Sequence, residues 1–334
     1  MSKFQEKERA KAIELIEKSE LFDGCKAGFV ISRKENNYPK KDILLDGYKN
    51  LFAPILNQVI EYFPKNKISF WKIGGEPTEK PTGHVLSSQI ACLNHLFPIR
   101  NDKNEVLKIA QIICEDIVDV LEIKTDDYLP AYIAFETVSD NDYLNESKKP
   151  TRGSHCTSVD ALIYAKHKNG KNYILPIEWK YTEHYSNADK SVEDRKGEPK
   201  DTNGKGQERL NRYSDLINNS AQLKKYDDYK ETVYFIEPFY QLMRQTLWAV
   251  QMIKNKDKEI IKADDFIHTH IIPNENCDLL EKQYKYSKKN MKTTWREHLQ
   301  DKSKYKIISP KELLANIDTN KYADLKNYLE KRYW

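Results

Sequence analysis

TSVDALIYAKHKNGKNYILPIEWKYTE, residues 157–183, is the stretch on which the reading of this chain turns. Two β-rich runs, 157–167 and 172–182, flank Asn169-Gly170, a dipeptide that favours a tight hairpin turn. The second run opens with Tyr173, Ile174, Leu175, Pro176 and Ile177 and then ends on an acid and a base, Glu178 and Lys180, with Trp179 between them. Side chains two apart on a strand share a face, so Glu178 and Lys180 point the same way. The partner strand carries a lone carboxylate, Asp160. A two-residue turn would set Asp160 across from Trp179, on the wrong face. A three-residue loop with Gly170 in the left-handed region, or an equivalent bulge near Pro176, sets it opposite Glu178. The expected register is the latter.

Two carboxylates a few Å apart in a partly buried place repel each other, and loss of hydration makes each harder to ionise. A hard divalent cation removes both difficulties, and oxygen donors of this kind suit Mg²⁺. Such an ion polarises a phosphodiester and acidifies a bound water, while a lysine beside it orients that water or stabilises charge on phosphorus. Asp160, Glu178 and Lys180 are therefore candidate catalytic residues, the two acids being candidate metal ligands. The acid-x-Lys triplet alone decides nothing, since seven occur, starting at Glu122, Glu146, Glu178, Asp194, Glu198, Asp228 and Asp324. Only the Glu178 triplet ends an apolar strand that follows another strand holding an acid.

The 334 residues are 39% hydrophobic and 11% aromatic, enough for a sizeable core. No apolar run reaches the roughly 18 residues that a membrane span needs. The stretch MSKFQEKERAKAIELIEKSELF reads as an amphipathic helix, not a secretory signal. Five scattered cysteines with no C-x-x-C argue against a disulfide framework or structural zinc and fit a reducing cytoplasm. A net charge of +4, from 55 basic and 51 acidic residues, neither requires nor excludes a nucleic-acid partner.

The coarse pattern divides the chain into a helical N-terminal region (1–80), a core (81–275) and a helical C-terminal region (276–334). Within the core, 87–97 reads as a helix capped by Ser87 or Ser88, and 104–123 as a long helix. Strands are expected at 131–138, 157–167, 172–182 and 266–273, and a helix at 239–253. Residues 184–213, poor in large apolar groups and rich in charge, read as a long exposed loop. Its bases, Lys190, Arg195, Lys196, Lys200, Lys205, Arg209 and Arg212, either clamp a nucleic acid or are simply solvated among the acids there. The fold class is α/β (α+β), a mixed sheet flanked by helices. Glu136, ending the strand before Asp160, is either a further metal ligand or an exposed strand terminus. Gln241 and Arg244 share one helix face, and Arg244 either holds a phosphate or sits in a structural salt bridge.

At these residues the sequence resembles the PD-(D/E)XK nuclease superfamily, the restriction-endonuclease-like fold, in its bacterial restriction-endonuclease-like branch. SVDALIY followed by LPIEWKYTE matches the pattern of an acid on one core strand and E-x-K on the next, although Val159 replaces the usual proline. The likeness spans roughly residues 84–275. It implies Mg²⁺-dependent DNA hydrolysis leaving 5′-phosphates, with Mn²⁺ able to substitute, in restriction or phage defence. The metal would be held by Asp160, Glu178 and the backbone carbonyl of Trp179. The resemblance also draws Gln89 toward the site and raises the question of Glu115, an acid in the preceding helix. Double-stranded DNA is the expected partner, and cutting both strands calls for two sites, hence a dimer or transient pair. No organic cofactor and no membrane are called for. The competing readings are a catalytically silent nucleic-acid-binding or interaction protein on the same fold, and a nuclease for RNA or branched DNA.

Overall fold

The computed structural model describes residues 2–30, 38–71, 77–125, 130–146, 156–194 and 204–334. Its strands are β1 (Ala27–Val30), β2 (Tyr38–Leu44), β3 (Phe70–Trp71), β4 (Pro77–Thr78), β5 (Ile117–Leu121), β6 (Ile133–Thr137), β7 (Val159–His167), β8 (Asn172–Trp179), β9 (Asp265–Phe266), β10 (His268–Ile271) and β11 (Tyr305–Ile308). The helices are α1 (Lys3–Lys18), α2 (Leu56–Lys65), α3 (Ser88–Leu96), α4 (Lys103–Ile113), α5 (Lys205–Asn218), α6 (Phe239–Lys254), α7 (Cys277–Leu280), α8 (Met291–Glu297), α9 (Pro310–Leu313) and α10 (Ala323–Arg332).

The β7–β8 hairpin is the centre of a seven-stranded mixed sheet ordered β11-β10-β8-β7-β5. Its loop has three residues, Lys168 to Gly170: His167 N–H donates to the Lys171 carbonyl at 3.0 Å, and Gly170 sits at φ +84°. Asn169 shapes the loop by accepting from Lys171 N–H through Oδ1 at 3.0 Å. The pairs that follow, Lys166↔Asn172 through Ala161↔Ile177, bring Asp160 opposite Glu178 at the next step. The three-residue loop is thus what sets the two acids on one face.

Each of the two central strands shares an outer edge between two shorter strands. Along β7, β5 pairs with 164–167 and β6 with 159–163, both antiparallel. Along β8, β9 and β10 run parallel, and β11 extends the sheet parallel to β10. Strand alternation sends Ala161, Ile163, Leu175, Ile177 and Trp179 into a core with α2, α3, α4 and α10. Leu162 and Ile174 go into a second core with α5, α6 and α8. The result is the restriction-endonuclease-like arrangement of a mixed sheet between two helical layers.

Helix α3 begins where the capping signal placed it, with Ser87 Oγ accepting from Ile90 N–H at 3.4 Å. Several elements differ from the sequence reading. The expected 104–123 helix stops at Ile113, and Ile117–Leu121 is strand β5. Ile117 and Val120 are buried and Val118 is exposed, a spacing of three that also fits a helix; a register shift between Ile117 and Asp119 produces it, and pairing with β7 makes the segment a strand. Residues 205–218 form α5, not loop, and bury Leu210, Tyr213 and Ile217 at helical spacing. Arg195, Lys196 and Lys200 lie outside the described residues. The first 80 residues are not purely helical, because β1–β2 and β3–β4 are hairpins. Nor is the 276–334 region, whose β11 completes the central sheet.

Candidate active site

Registers on both sides of β7 build one row of side chains across the sheet. β6 pairs with β7 at Phe135↔Ala161 and Thr137↔Val159, so Glu136 falls level with Asp160. β8 places Glu178 on the other side, and β10 adds His270 beside Glu178. Three carboxylates and an imidazole therefore stand abreast at one end of the sheet, with Lys180 two residues past Glu178. Glu178, Lys180 and Glu136 are buried, and Asp160 is half-buried at the open end of β7.

Asp160 is anchored by a bond that continues the hairpin ladder beyond its last backbone pair: Trp179 N–H donates to Asp160 Oδ2 at 2.7 Å. The N–H and C=O of one strand residue face the same edge, so the Trp179 carbonyl lies on the edge from which its N–H reaches Asp160. Glu178 is held from two directions. Lys180 Nζ donates to Oε1 at 2.7 Å, and Gln241 Nε2 donates to the same oxygen at 2.6 Å. Gln245 Nε2, one turn further along α6, donates to Oε2 at 2.5 Å. Gln241 closes a triangle by accepting from Lys180 Nζ through Oε1 at 2.7 Å. Gln89 on α3 donates to Glu136 Oε1 at 2.8 Å, and Ser158 Oγ donates to its Oε2 at 3.3 Å. Glu136 adopts φ +47°, a left-handed conformation disfavoured for a side chain with a Cβ and frequent where a site constrains the backbone.

Charge is unbalanced in this row. Burial pushes the Asp160 carboxyl well above its usual range, and the neighbouring Glu178 and Glu136 charges push it further. Burial likewise lifts Glu136 to about 7, the Gln89 bond opposing and Glu178 adding to the rise. Burial would depress the Lys180 ammonium, but Glu178, then Tyr185, Glu183 and Asp160, outweigh it and hold it well above an ordinary lysine. Lys180 is therefore a firm cation. His268 and His270, both buried on β10, are kept neutral by burial, with the Lys180 charge adding to the effect.

Not every candidate meets in the row. Gln241 and Gln89 touch it directly. Arg244 instead donates through Nε to Glu146 at 2.7 Å, an acid that also accepts from Tyr213 and Thr157. The salt-bridge alternative for Arg244 is the one the structure contains. Glu115 is exposed in the turn after α4, near Lys168 at the hairpin loop. That is the opposite end of β7, about 25 Å from Asp160 at roughly 3.4 Å per residue, so Glu115 does not join the site. Gln245 went unremarked in the sequence, although it follows Gln241 by four residues and so shares its face. His270 was hidden for a different reason: only the β8–β10 register brings it beside Glu178.

The donor set fits a hard divalent cation. A carboxylate has about four acceptor positions. Asp160 accepts one hydrogen bond and Glu178 three among the described residues, which leaves capacity on both. Gln245 Oε1 is a buried acceptor with no donor among the described residues, so the polar groups around Glu178 are not all matched within the protein. Among the described residues no three His, Cys, Asp or Glu side chains are grouped to hold an ion between them. The fitting set is thus two carboxylates and a main-chain carbonyl, with Glu136 standing beside it.

A mixed sheet carrying an acid on one central strand and E-x-K on the next defines the restriction-endonuclease-like class of proteins. Within it, the family model described as Restriction Endonuclease associating with ARP matches residues 26–334, and the chain belongs to that family. Membership points to a nuclease role with DNA as substrate. No curated protein and no solved structure matches the chain. Among the described residues no helix is long and apolar enough to cross a membrane.

Proposed function

We propose that the protein is a metal-dependent DNA endonuclease whose reaction centre is Asp160, Glu178 and Lys180. The observation that supports this most strongly is the pairing of Asp160 with Glu178 across the β7–β8 hairpin, tied by the 2.7 Å bond from Trp179 N–H. Asp160, Glu178 and the Trp179 carbonyl would hold Mg²⁺, with Mn²⁺ a competent substitute because it accepts the same oxygen donors. When bound, the ion supplies charge neutralisation at the scissile phosphate and an acidified water.

The chain's own residues supply the rest. Gln241 and Gln245 fix both oxygens of Glu178, so its carboxylate presents one geometry. Lys180 is held protonated, which suits it to orient a water by donating to it or to stabilise negative charge on the phosphate, and not to act as a base. Glu136, near neutrality in its protonation, is placed to take or return a proton next to Asp160. Hydrolysis at phosphorus with loss of the 3′ oxygen leaves a 5′-phosphate. Cleavage of both strands calls for two copies of the site, and restriction or phage defence is the setting that a DNA endonuclease of this family suits.

The test is supercoiled plasmid incubated with the protein and Mg²⁺, with and without EDTA. Nicked and linear products that need the metal support the reading. Cleavage that persists in an Asp160→Ala, Lys180→Ala double variant would show that another site does the chemistry.

A further inference from the structure

Strand β8 ends at Trp179, so Lys180 stands on the first residue past it and its aim depends on what fixes the chain there. One ladder bond remains, from Lys180 N–H to the Ile271 carbonyl at 2.9 Å. Tyr181 N–H then leaves the sheet and donates to Glu183 Oε2 at 2.6 Å and to Ser88 Oγ at 3.2 Å. The Tyr181 carbonyl accepts from Asn276 Nδ2 at 3.1 Å. Its ring turns to the face opposite Lys180 and enters the core that holds Trp179. There the hydroxyl donates to Glu8 Oε2 on α1 at 2.7 Å.

Glu8 is an expensive residue to place at this point. The buried positions of α1 are Phe4, Glu8 and Ala12, a narrow stripe at a spacing of four with the carboxylate at its centre. Glu8 is 6% exposed, and among the described residues its carboxylate takes one hydrogen bond, from Tyr181, and no ion pair. Burying a carboxylate for one phenol bond costs more than an apolar side chain would. The rest of the helix is tied to the same neighbourhood. Phe4 N–H donates to Asp278 Oδ2 on α7 at 2.8 Å, and Asn276, which holds the Tyr181 carbonyl, is the residue that opens α7. Helix α1 lies before the residues 26–334 that the family model matches, so its hold on Tyr181 is an addition to the matched core.

We propose that Glu8 is a positioning residue for the reaction centre: its carboxylate fixes the Tyr181 phenol and, through one peptide unit, the aim of Lys180. This rests on the nuclease reading. Lys180 and the Glu8 tether lie on opposite faces of the same short segment, so loss of the tether frees that segment to shift about the Ile271 bond. A shift of about 1 Å in a catalytic group costs on the order of a hundredfold in rate. Asp160 and Glu178 lie before the segment and keep their places, so metal binding is untouched.

Single-turnover plasmid cleavage by the full chain at saturating protein and Mg²⁺ tests the proposal, with amide hydrogen exchange of residues 180–183 read in parallel. Glu8→Leu keeps the volume and removes the acceptor. It should slow cleavage at least tenfold and speed exchange in that segment, while circular dichroism and Mn²⁺ uptake match the wild type. Glu8→Gln keeps an oxygen for Tyr181 and should recover cleavage to within threefold of the wild type. Tyr181→Phe removes the donor and should slow cleavage as Glu8→Leu does, and adding Glu8→Leu to it should slow cleavage no further. Cleavage by Glu8→Leu within twofold of the wild type overturns the proposal. So does unaltered exchange in Glu8→Leu, or a Glu8→Gln variant as slow as Glu8→Leu. A wild type that cuts no DNA in Mg²⁺ defeats the nuclease reading and the proposal with it, so the wild type alone tells the two failures apart.

Discussion

Replacing Asp160 by Asn should abolish cleavage and make the metal-free protein more stable. The substitution keeps the shape and keeps an oxygen to accept from Trp179 N–H, so the 2.7 Å anchor survives. It removes one of three carboxylates that share a row with one ammonium. Opposite residues of a hairpin have Cβ atoms about 5 Å apart. At that separation and an effective dielectric of about 20, one like-charge pair costs about 3 kcal/mol. Partial protonation and the Lys180 charge relieve part of this, so the expected gain at neutral pH is about 1–2 kcal/mol. Because the folded Asp160 pKa is raised, its ionisation opposes folding. Wild type and variant should therefore be equal below about pH 4, where the unfolded carboxyl is protonated, and diverge in favour of the variant as pH rises. Mg²⁺ should reverse the order, adding about 2.7 kcal/mol to the wild type at a hundredfold excess over its dissociation constant and little to the variant. Denaturant unfolding at pH 4 and pH 7.5, each with EDTA and with Mg²⁺, measures all four states. A variant less stable than wild type at pH 7.5 in EDTA would refute the reasoning, since it would mean that Asp160 is not electrostatically strained.

Other expectations follow from the same geometry. Lys180→Met should lower the cleavage rate at least a hundredfold in single-turnover assays, with Mg²⁺ binding retained, because the acids that hold the ion remain. Gln245→Leu leaves Glu178 Oε2 without its 2.5 Å donor and should lower stability by about 1–2 kcal/mol in urea unfolding and reduce the single-turnover rate. Arg244→Ala strands the buried Glu146 carboxylate and should cost about 3–5 kcal/mol, read as a lower urea midpoint. Gly170→Ala meets no atom within 4 Å and strains only the backbone at φ +84°, so it should cost about 1–2 kcal/mol and leave cleavage intact, measured on the same preparations.

The decisive part of the fold was legible because local signals agreed. Asn169-Gly170, two β-rich runs and an apolar strand ending in E-x-K point to one hairpin, and the loop length alone determines which face Asp160 takes. What stayed hidden depends on contacts distant in sequence. Residues 104–123 place apolar groups so densely that a helix and a helix followed by a strand fit equally well. Only pairing of Ile117–Leu121 with β7 decides between them. β11 is four residues long within a charged tail and becomes a strand because β10 offers it an edge. Within the site, Glu136 was visible as an acid, but its place level with Asp160 is a register fact. Arg244 and Gln241 looked equivalent on one helix face, and the presence of Glu146 beneath one of them separated their roles.

The central claim is that Asp160 and Glu178 together hold a divalent cation, and Mn²⁺ binding followed by the loss of its free-ion paramagnetic resonance signal tests it most directly. The wild-type chain should take up Mn²⁺ saturably, Mg²⁺ should compete for it, and both Asp160→Asn and Glu178→Gln should weaken the uptake at least tenfold while remaining folded. Equal Mn²⁺ uptake by the wild type and both folded variants would contradict the account.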